Sequence, residues 1–197
     1  SLSIPEGYEF RAPRKAFRNQ KPVVFYGSSI TQGGCAPTPG MGYTNILSRY
    51  LNAYCINLGL SGSAKAEDSM IGYLASLDME VFVLDYDHNA PNAAHLAATH
   101  EKLFAAVRSA HPALPIVILS SIPCYSPDFE QEKRRDIIRK TYENACAAGD
   151  ENVYFIDGAS FFTQVPFDMA TVDGCHPNGL GMYLMAEGVR KVLEPLL

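Results

Sequence analysis

The sequence predicts an α/β fold in which one parallel sheet of five strands is covered by helices on both faces. Four of the five short apolar runs are nearly continuous in β-branched, aliphatic and aromatic residues, which is typical of strands buried on both faces. Longer segments with helical spacing of apolar residues separate these runs, and strands that alternate with helices indicate a parallel sheet in a three-layer α/β/α arrangement. The predicted strands lie at 23–26, 54–58, 81–86, 115–120 and 153–156, and the predicted helices lie near 42–52, 66–76, 93–110, 129–147 and 179–194.

The composition is that of a compact globule and argues against several classes of protein. Of the 197 residues, 47% are hydrophobic and 19% are charged, which excludes a disordered chain. The formal net charge of -5 does not favour nucleic acid or an anionic membrane as a partner. Five scattered cysteines without a CxxC pair indicate neither a disulfide scaffold nor a zinc ribbon. We therefore expect neither a metal site nor a nucleic-acid partner.

The first 21 residues are predicted to be an N-terminal extension or linker, followed by one domain over residues 22–197. Pro5, Gly7 and Pro13 indicate extended backbone, and a basic nucleic-acid-binding arm is the alternative interpretation. The basic residues of this segment are Arg11, Arg14, Lys15, Arg18 and Lys21. No apolar stretch reaches the ~18–20 residues of a membrane span, and no signal-peptide core is present. We expect a soluble protein, either cytoplasmic or exported with a signal that lies outside this sequence.

A serine-rich turn follows the first predicted strand, in the segment Gly27-Ser28-Ser29-Ile30-Thr31-Gln32-Gly33-Gly34. A serine at the tip of a buried strand, with glycines around it, can present its hydroxyl as a nucleophile. A turn that only terminates the strand is the structural alternative. A phosphate-binding loop does not fit, because no Lys follows the glycines. The G-x-S-x-G nucleophile elbow does not fit either, since Thr31 stands where its second Gly belongs.

A second candidate element lies just before the last predicted helix, in Asp173-Gly174-Cys175-His176-Pro177-Asn178. An Asp and a His three residues apart in a loop can orient one another, with the carboxylate bound to one imidazole nitrogen and the other nitrogen free to accept a proton. Cys175 is an alternative nucleophile, but adjacent side chains usually diverge. An ordinary Asp turn is the structural alternative.

Two further strand ends carry groups that could bind an oxyanion. Gly59 and Gly62 follow the second strand and expose backbone N–H groups, and Asn89 follows the third strand and offers a side-chain amide. Turn geometry is the alternative for the glycines, and a turn or a helix N-cap is the alternative for Asn89. Because ligands of such sheets bind at the carboxyl ends of the strands, all of these groups are expected at one rim.

These segments resemble the motif blocks of the SGNH (GDSL-like) hydrolases. Gly27-Ser28-Ser29-Ile30-Thr31 is similar to the first block in its GSS variant, and Asn57-Leu58-Gly59-Leu60-Ser61-Gly62 is similar to the second. Asn89 matches the third block, and Asp173-x-x-His176 with the following Pro and Gly matches the last. The resemblance runs from about residue 22 to the C-terminus and implies a flavodoxin-like SGNH hydrolase fold.

The resemblance also implies a role for each matched residue. Ser29 would be the nucleophile, His176 the general base and Asp173 the residue that orients it. The oxyanion donors would be the Ser29 N–H, the Gly62 N–H and the Asn89 side chain. The chain departs from the family pattern in two segments: Ser28 replaces the usual Asp, and Asp85-Tyr86-Asp87-His88 replaces the usual Gly-x-Asn before Asn89.

The expected function is therefore that of a serine esterase that forms an acyl-enzyme and needs no cofactor. Short acyl groups, above all acetyl, on a small-molecule or glycan alcohol are the expected substrates, because the chain has no Trp and no long apolar segment for an acyl tunnel. Flanking aromatics such as Tyr43, Tyr86 and Tyr125 could instead line an apolar pocket. The alternatives are a lipase or thioesterase, an inactive glycan-binding module and, less well supported, a flavodoxin-like nucleotide binder.

Overall fold

The computed structural model describes residues 3–11 and 15–197. Residues 1–2 and 12–14, which belong to the predicted N-terminal extension and include Pro13 and Arg14, lie outside the described residues.

One parallel sheet of five strands forms the centre of the molecule and confirms the predicted fold class. The strand order is β2-β1-β3-β4-β5, in which the chain starts inside the sheet and reverses direction between β2 and β3. This is the flavodoxin-like order, whose reversal point opens a crevice at the carboxyl ends of the strands. The strands are β1 (Val23–Gly27), β2 (Cys55–Gly59), β3 (Val81–Asp85), β4 (Ile116–Leu119) and β5 (Val153–Ile156).

In the described part of the chain six α-helices accompany the sheet: five lie between strands, and the last follows β5. They are α1 (Ser29–Gln32), α2 (Tyr43–Leu51), α3 (Asp68–Ser76), α4 (Ala93–Ala110), α5 (Gln131–Ala147) and α6 (Gly179–Leu193). Five of them agree with the predicted segments to within two residues at each end. The exception is α1, which was predicted only as a tight turn, because one helical turn is too short to show a periodic pattern.

Side chains that alternate along the central strands build one core on each face of the sheet. Phe25 of β1 packs with Leu47 of α2 and Met182 of α6 on one face. Val24, its neighbour, packs with Leu74 of α3 and Leu103 of α4 on the other face. Burying a side chain of this size stabilises the fold by roughly 1.5–3 kcal/mol. The central strands are therefore apolar at nearly every position, and Asp85 at the end of β3 is the exception.

The edge strand β2 is the least apolar and the least buried of the five strands. None of its five residues is fully buried, and Asn57 in its middle is exposed. A strand with this environment tolerates polar residues, so its sequence signal is weaker than that of β1, β3 or β4.

Two helix starts test the predicted N-caps. Asn178 caps α6 as predicted, since its side-chain oxygen accepts hydrogen bonds from the N–H groups of Leu180 and Gly181. The N-cap of α4 is Asn92, whose side chain accepts from His95 N–H. The alternative that Asn89 caps α4 is therefore wrong, because Asn89 ends a separate 3₁₀ turn, Asp87–Asn89.

The segment before β1 contacts the domain. Asn19 is buried, donates to the Tyr54 carbonyl oxygen and accepts from Tyr54 N–H. Ala16 accepts from the Asn52 side chain through its carbonyl oxygen. The boundary between residues 21 and 22 stays a prediction. In the part of the chain that the structure describes, we find no helix with the length and apolarity that crossing a bilayer requires.

Candidate active site

The one-turn helix α1 carries Ser29 and lies directly on the carboxyl ends of β1 and β2. A Cβ atom on Gly27 would come within 1.9 Å of Thr31 Oγ1, and one on Gly59 would come within 2.2 Å of the Gln32 nitrogen. Side chains at these two positions would push α1 off the sheet. Both glycines are therefore required by close backbone approach.

Local hydrogen bonds define the start and the end of α1. Ser28 is fully buried and acts as N-cap, accepting from Ile30 N–H through its hydroxyl. Gly33 ends the turn in the left-handed conformation with a φ of 87°, where a residue with a side chain would be strained. Ser29, the first residue of α1 after the cap, is partly exposed at the rim of the sheet.

The structure brings Ser29, His176 and Asp173 into one hydrogen-bonded chain. Ser29 Oγ lies 2.9 Å from His176 Nε2, and His176 Nδ1 lies 2.7 Å from Asp173 Oδ2. If Nδ1–H donates to the carboxylate, Nε2 is left without a proton and accepts from the serine hydroxyl. The imidazole is one-third exposed and the carboxylate about half exposed, so solvent reaches the site.

The loop that carries Asp173 and His176 is fixed by its own backbone. Asp173 Oδ1 accepts from the N–H groups of Cys175 and His176, at 2.9 and 2.7 Å, which closes an Asx turn. Gly174 within this turn has a φ of 76°, and its N–H donates to Thr171 Oγ1. Asn178 donates to the Met169 carbonyl oxygen and so ties the loop to the start of α6.

The same contacts keep Asp173 ionised. Its partial burial acts to raise the pKa, but the hydrogen bonds from the backbone and imidazole of His176 and from Cys175 N–H outweigh it and lower the pKa of Asp173. A carboxylate in this state orients the imidazole and stabilises its protonated form.

The candidate oxyanion groups lie on two loops that are joined by a hydrogen bond. Asn89 Oδ1 accepts from Ala64 N–H at 3.2 Å, which directs the amide oxygen toward the loop after β2. That loop turns through Gly62, which has a φ of 78° and is exposed. Gly62 and Asn89 line the same open groove of about 320 Å³.

Arg134 of α5 fixes the turn that carries Asn89. Its guanidinium is buried and donates to the carbonyl oxygens of Asp87 and Ala90, at 2.6 and 2.9 Å, and its Nε donates to Phe129. The ring of Phe129 is covered by the His88 ring at 4.7 Å and by the Arg134 guanidinium at 4.5 Å. Phe129, which also lines the groove, is therefore held in place by both of these neighbours.

Two aspartates are buried at and just after the end of β3. Asp85 Oδ2 accepts from Thr31 Oγ1 and from the Tyr43 hydroxyl, each at 2.8 Å. Burial raises the pKa of Asp85 to about 7, and the Asp87 charge adds to this, while the hydrogen bonds from Thr31 and Tyr43 act in the opposite direction. Burial also raises the pKa of Asp87 to about 6, against its hydrogen bonds from Ser121 and the Arg134 charge.

Cys175 does not join the chain of Ser29, His176 and Asp173. Its Sγ lies 3.7 Å from His88 Nδ1, whereas Ser29 Oγ is the group that contacts His176 Nε2. Burial raises the pKa of the Cys175 thiol, which is the opposite of what a thiolate nucleophile requires.

The chain belongs to the GDSL-like lipase/acylhydrolase family, whose model matches residues 20–194. This confirms the resemblance seen in the motif blocks and assigns the chain to a family of ester-hydrolysing enzymes. No curated protein matches the sequence.

Solved structures share the fold over most of the chain. A GDSL-like lipase from Bacteroides ovatus is 31% identical, with a TM-score of 0.80 over 94% of this chain and 56% of its own. The salicylyl-acyltransferase SsfX3 of a tetracycline biosynthetic pathway is 20% identical, with a TM-score of 0.76 over 91% of this chain and 56% of its own. A family two carbohydrate esterase from Clostridium thermocellum is 19% identical, with a TM-score of 0.73 over 96% of this chain and 68% of its own. The chain thus spans little more than half the length of the first two.

The sequence did not reveal the buried residues whose hydrogen bonds hold α1 and the turn that carries Asn89. Asp85 was noted only as a departure from the family pattern, and Thr31 only as the last residue of the first motif block and as a mismatch to the G-x-S-x-G elbow. Arg134 lies in a charged stretch of α5 and carries no local signal of burial. An acidic residue at the end of an otherwise apolar strand was the one available hint, since a buried charge requires partners.

The buried Asp85 carboxyl should make stability depend on pH. Because its folded pKa of about 7 is far above the ordinary ~3.9, the folded state retains a proton that the unfolded state has released. The contribution of this bound proton to the free energy of unfolding is fully present below pH 4 and is lost as the pH rises through 7. Relative to Asp85→Asn, the wild type should lose on the order of 3 kcal/mol of unfolding free energy between pH 4 and pH 8.

Urea unfolding of both proteins at several pH values measures this difference. Asp68→Asn is the matched control, because Asp68 is an exposed carboxylate at the start of α3. A difference between wild type and Asp85→Asn that stays constant from pH 4 to pH 8 would contradict the assigned burial of this charge.

Proposed function

We propose that the chain hydrolyses carboxylic esters through an acyl-enzyme formed on Ser29. The observation that carries this proposal is the unbroken chain of hydrogen bonds from Ser29 Oγ to His176 Nε2 and from His176 Nδ1 to Asp173 Oδ2. A nucleophile, a base and an orienting carboxylate in this geometry form the constellation of serine hydrolases.

Acylation begins with attack of Ser29 Oγ on the ester carbonyl carbon. His176 Nε2 takes the hydroxyl proton as the new C–O bond forms, and Asp173 stabilises the resulting imidazolium. The tetrahedral intermediate then collapses, and the alcohol leaves with the proton that His176 returns to it. Water attacks the acyl-enzyme in the same way, with His176 again as base, and releases the acid and free Ser29.

The developing oxyanion requires hydrogen-bond donors at the same rim. Ser29 N–H is among the first amide groups of α1, which have no acceptor within the helix. Gly62 contributes a backbone N–H from an exposed left-handed turn, and Asn89 contributes its side-chain NH₂, because Ala64 N–H already occupies the amide oxygen. Donors fixed before the reaction stabilise charge that develops only in the transition state.

Acetyl or similarly short acyl groups on a polar alcohol, such as a sugar, are the proposed substrates. A long acyl chain gains ~0.8 kcal/mol for each buried CH₂ group only if a pocket encloses it. The groove beside Gly62 and Asn89 is open and includes Ser126 and Asp128 in its lining. Tyr43 and Tyr86 are core residues with exposed fractions of 0% and 1%, so neither can line an acyl pocket.

Two solved structures of the same fold are consistent with a glycan alcohol. The family two carbohydrate esterase from Clostridium thermocellum was solved with cellohexaose, and a two-domain esterase is described as active on acetylated mannans. These proteins are 19% and 18% identical to this chain, so they support the substrate class by fold alone. An inactive glycan-binding module is less well supported, because a binder has no use for a complete chain from Ser29 to Asp173.

Ser29→Ala should abolish ester hydrolysis without unfolding the protein, because the side chain lies at the rim and outside both cores. The measurement is turnover of p-nitrophenyl acetate together with the thermal melting curve. Ser76→Ala is the matched control, because it removes an exposed serine hydroxyl at the end of α3, before the amino end of β3 and therefore at the opposite end of the sheet from Ser29. Substantial turnover by Ser29→Ala would show that another residue is the nucleophile.

Asn89→Ala should lower kcat by about 10²–10³ with little change in KM, if its amide contacts only the oxyanion. Asn92→Ala provides the comparison, because it removes the α4 cap three residues away and should lower stability by about 1 kcal/mol without affecting kcat. The proposal for Asn89 fails if both variants change stability alone.

The values of kcat/KM for p-nitrophenyl esters of two to twelve carbons should be highest at two to four carbons, because the open groove offers long chains little enclosed apolar surface. Acetylated and deacetylated oligosaccharides, compared as substrate and as unreactive ligand, test the alcohol side. A maximum at eight carbons or more would reject the acetyl-ester proposal and favour a lipase or thioesterase.

A further inference from the structure

The carboxylate of Asp85 joins three elements at a point beneath the nucleophile. Asp85 is the last residue of β3, Thr31 belongs to α1 and Tyr43 is the first residue of α2. Both hydroxyls donate to the same oxygen, Oδ2, at 2.8 Å. All three side chains are shielded from water, with exposed fractions of 3%, 0% and 0%. These hydrogen bonds are therefore not exchanged for bonds to solvent.

Helix α1 depends on contacts of this kind, because it has only one turn. An isolated turn of four residues is far too short to be stable by its own backbone hydrogen bonds. Thr31 lies two residues after Ser29, and its side chain fills the space above Gly27. Its carbonyl oxygen also accepts from Asn57 Nδ2 at 2.7 Å. Thr31 is thus the residue through which the sheet fixes the orientation of α1.

The bond to Thr31 is retained despite a cost to stability. Burial and the neighbouring Asp87 carboxylate both disfavour the ionised form of Asp85, and Tyr43 is the titratable group that faces it from α2. A pair of apolar residues at positions 31 and 85 would avoid this cost. Groups that reduce stability in this way are concentrated where function requires a fixed geometry.

We propose that Asp85 and Thr31 are positioning residues for the nucleophile: their hydrogen bond holds α1 so that Ser29 Oγ stays within reach of His176 Nε2. This inference rests on the proposed role of Ser29. Neither residue touches the substrate. Tyr43 donates to the same oxygen from α2, a helix that does not carry Ser29, so the two hydroxyl donors lie on different helices although they share one acceptor.

That difference supplies the decisive comparison, between Thr31→Val and Tyr43→Phe. Each variant removes one hydroxyl donor from Asp85 Oδ2 and keeps the shape of the side chain closely. Thr31→Val should lower kcat by about 10–100-fold with KM within about twofold. The reason is that a displacement of a nucleophile by about 1 Å can lower the rate by about 100-fold. Tyr43→Phe should leave kcat within about threefold of the wild type, and Thr31→Ser, which keeps the hydroxyl, should restore most of the activity.

Two readouts separate positioning from a general loss of structure. The first is the rate at which a fluorophosphonate probe labels Ser29, which should fall with kcat in Thr31→Val but not in Tyr43→Phe. The second is the unfolding free energy of each variant. It defines conditions under which both variants are fully folded, and kcat is compared under those conditions. A double-mutant cycle with Asp85→Ala extends the test: adding Thr31→Val to it should cost little more kcat, since both changes break the same bond.

The outcomes are distinct. Equal kcat in Thr31→Val and Tyr43→Phe, or losses that follow stability alone, would overturn the positioning role. Failure of the wild-type protein to hydrolyse any ester, combined with no labelling of Ser29, would instead overturn the proposed function. The pair of isosteric variants decides the question even if Asp85→Ala does not fold.

Discussion

Close packing of one helical turn on the edge of the sheet is the constraint on which the candidate site depends. Helix α1 contacts the ends of β1 and β2 so closely that Gly27 and Gly59 cannot carry a side chain. The two strands are paired in register, with Gly27 opposite Gly59, which presents a flat backbone surface to α1. The position of Ser29 is thereby set by contact with the sheet rather than by a loop.

The partners of Ser29 come from segments that are far apart in the sequence and are fixed in different ways. His176 and Asp173 belong to one Asx turn, whose geometry is determined locally and then attached to α6 through Asn178. Asn89 belongs to a 3₁₀ turn whose carbonyl oxygens are bound by the buried Arg134. Each group is therefore supported by hydrogen bonds to backbone atoms, and these bonds limit the reorganisation that catalysis would require.

The buried charges beneath the rim show how stability and function compete in this fold. Asp85, Asp87 and Arg134 are buried, with exposed fractions of 3% or less, and Arg134 also lines the groove. Apolar residues in their place would pack without a desolvation cost. The hydrogen bonds of these three side chains instead join α1, α2, α5 and the two turns after β3 and β4. The molecule has two apolar cores, and this polar cluster lies at the end of the sheet where the groove opens.

The sequence by itself determined the fold class and indicated the candidate reactive groups. Continuous apolar strands and amphipathic helices produce a pattern that only a sheet covered on both faces satisfies, and so five strands and five helices could be predicted within a few residues. The Asx turn of Asp173 and His176 is also local, since its hydrogen bonds join residues at most three positions apart. The exceptions are α1, which is too short to show periodicity, and the capping role of Asn92, which the neighbouring Asn89 obscured.

Only the tertiary structure decided what surrounds those groups. The 2.9 Å contact between Ser29 and His176 joins residues 147 positions apart, and no local pattern encodes it. The same holds for Asp85, Thr31 and Tyr43, whose side chains meet because strand order places β3 beside β1 and α2 above both. The burial of Arg134, Tyr43 and Tyr86 likewise results from tertiary packing. Charge and aromaticity can be read from the sequence, but whether such a side chain faces water or the core depends on neighbours that folding alone brings together.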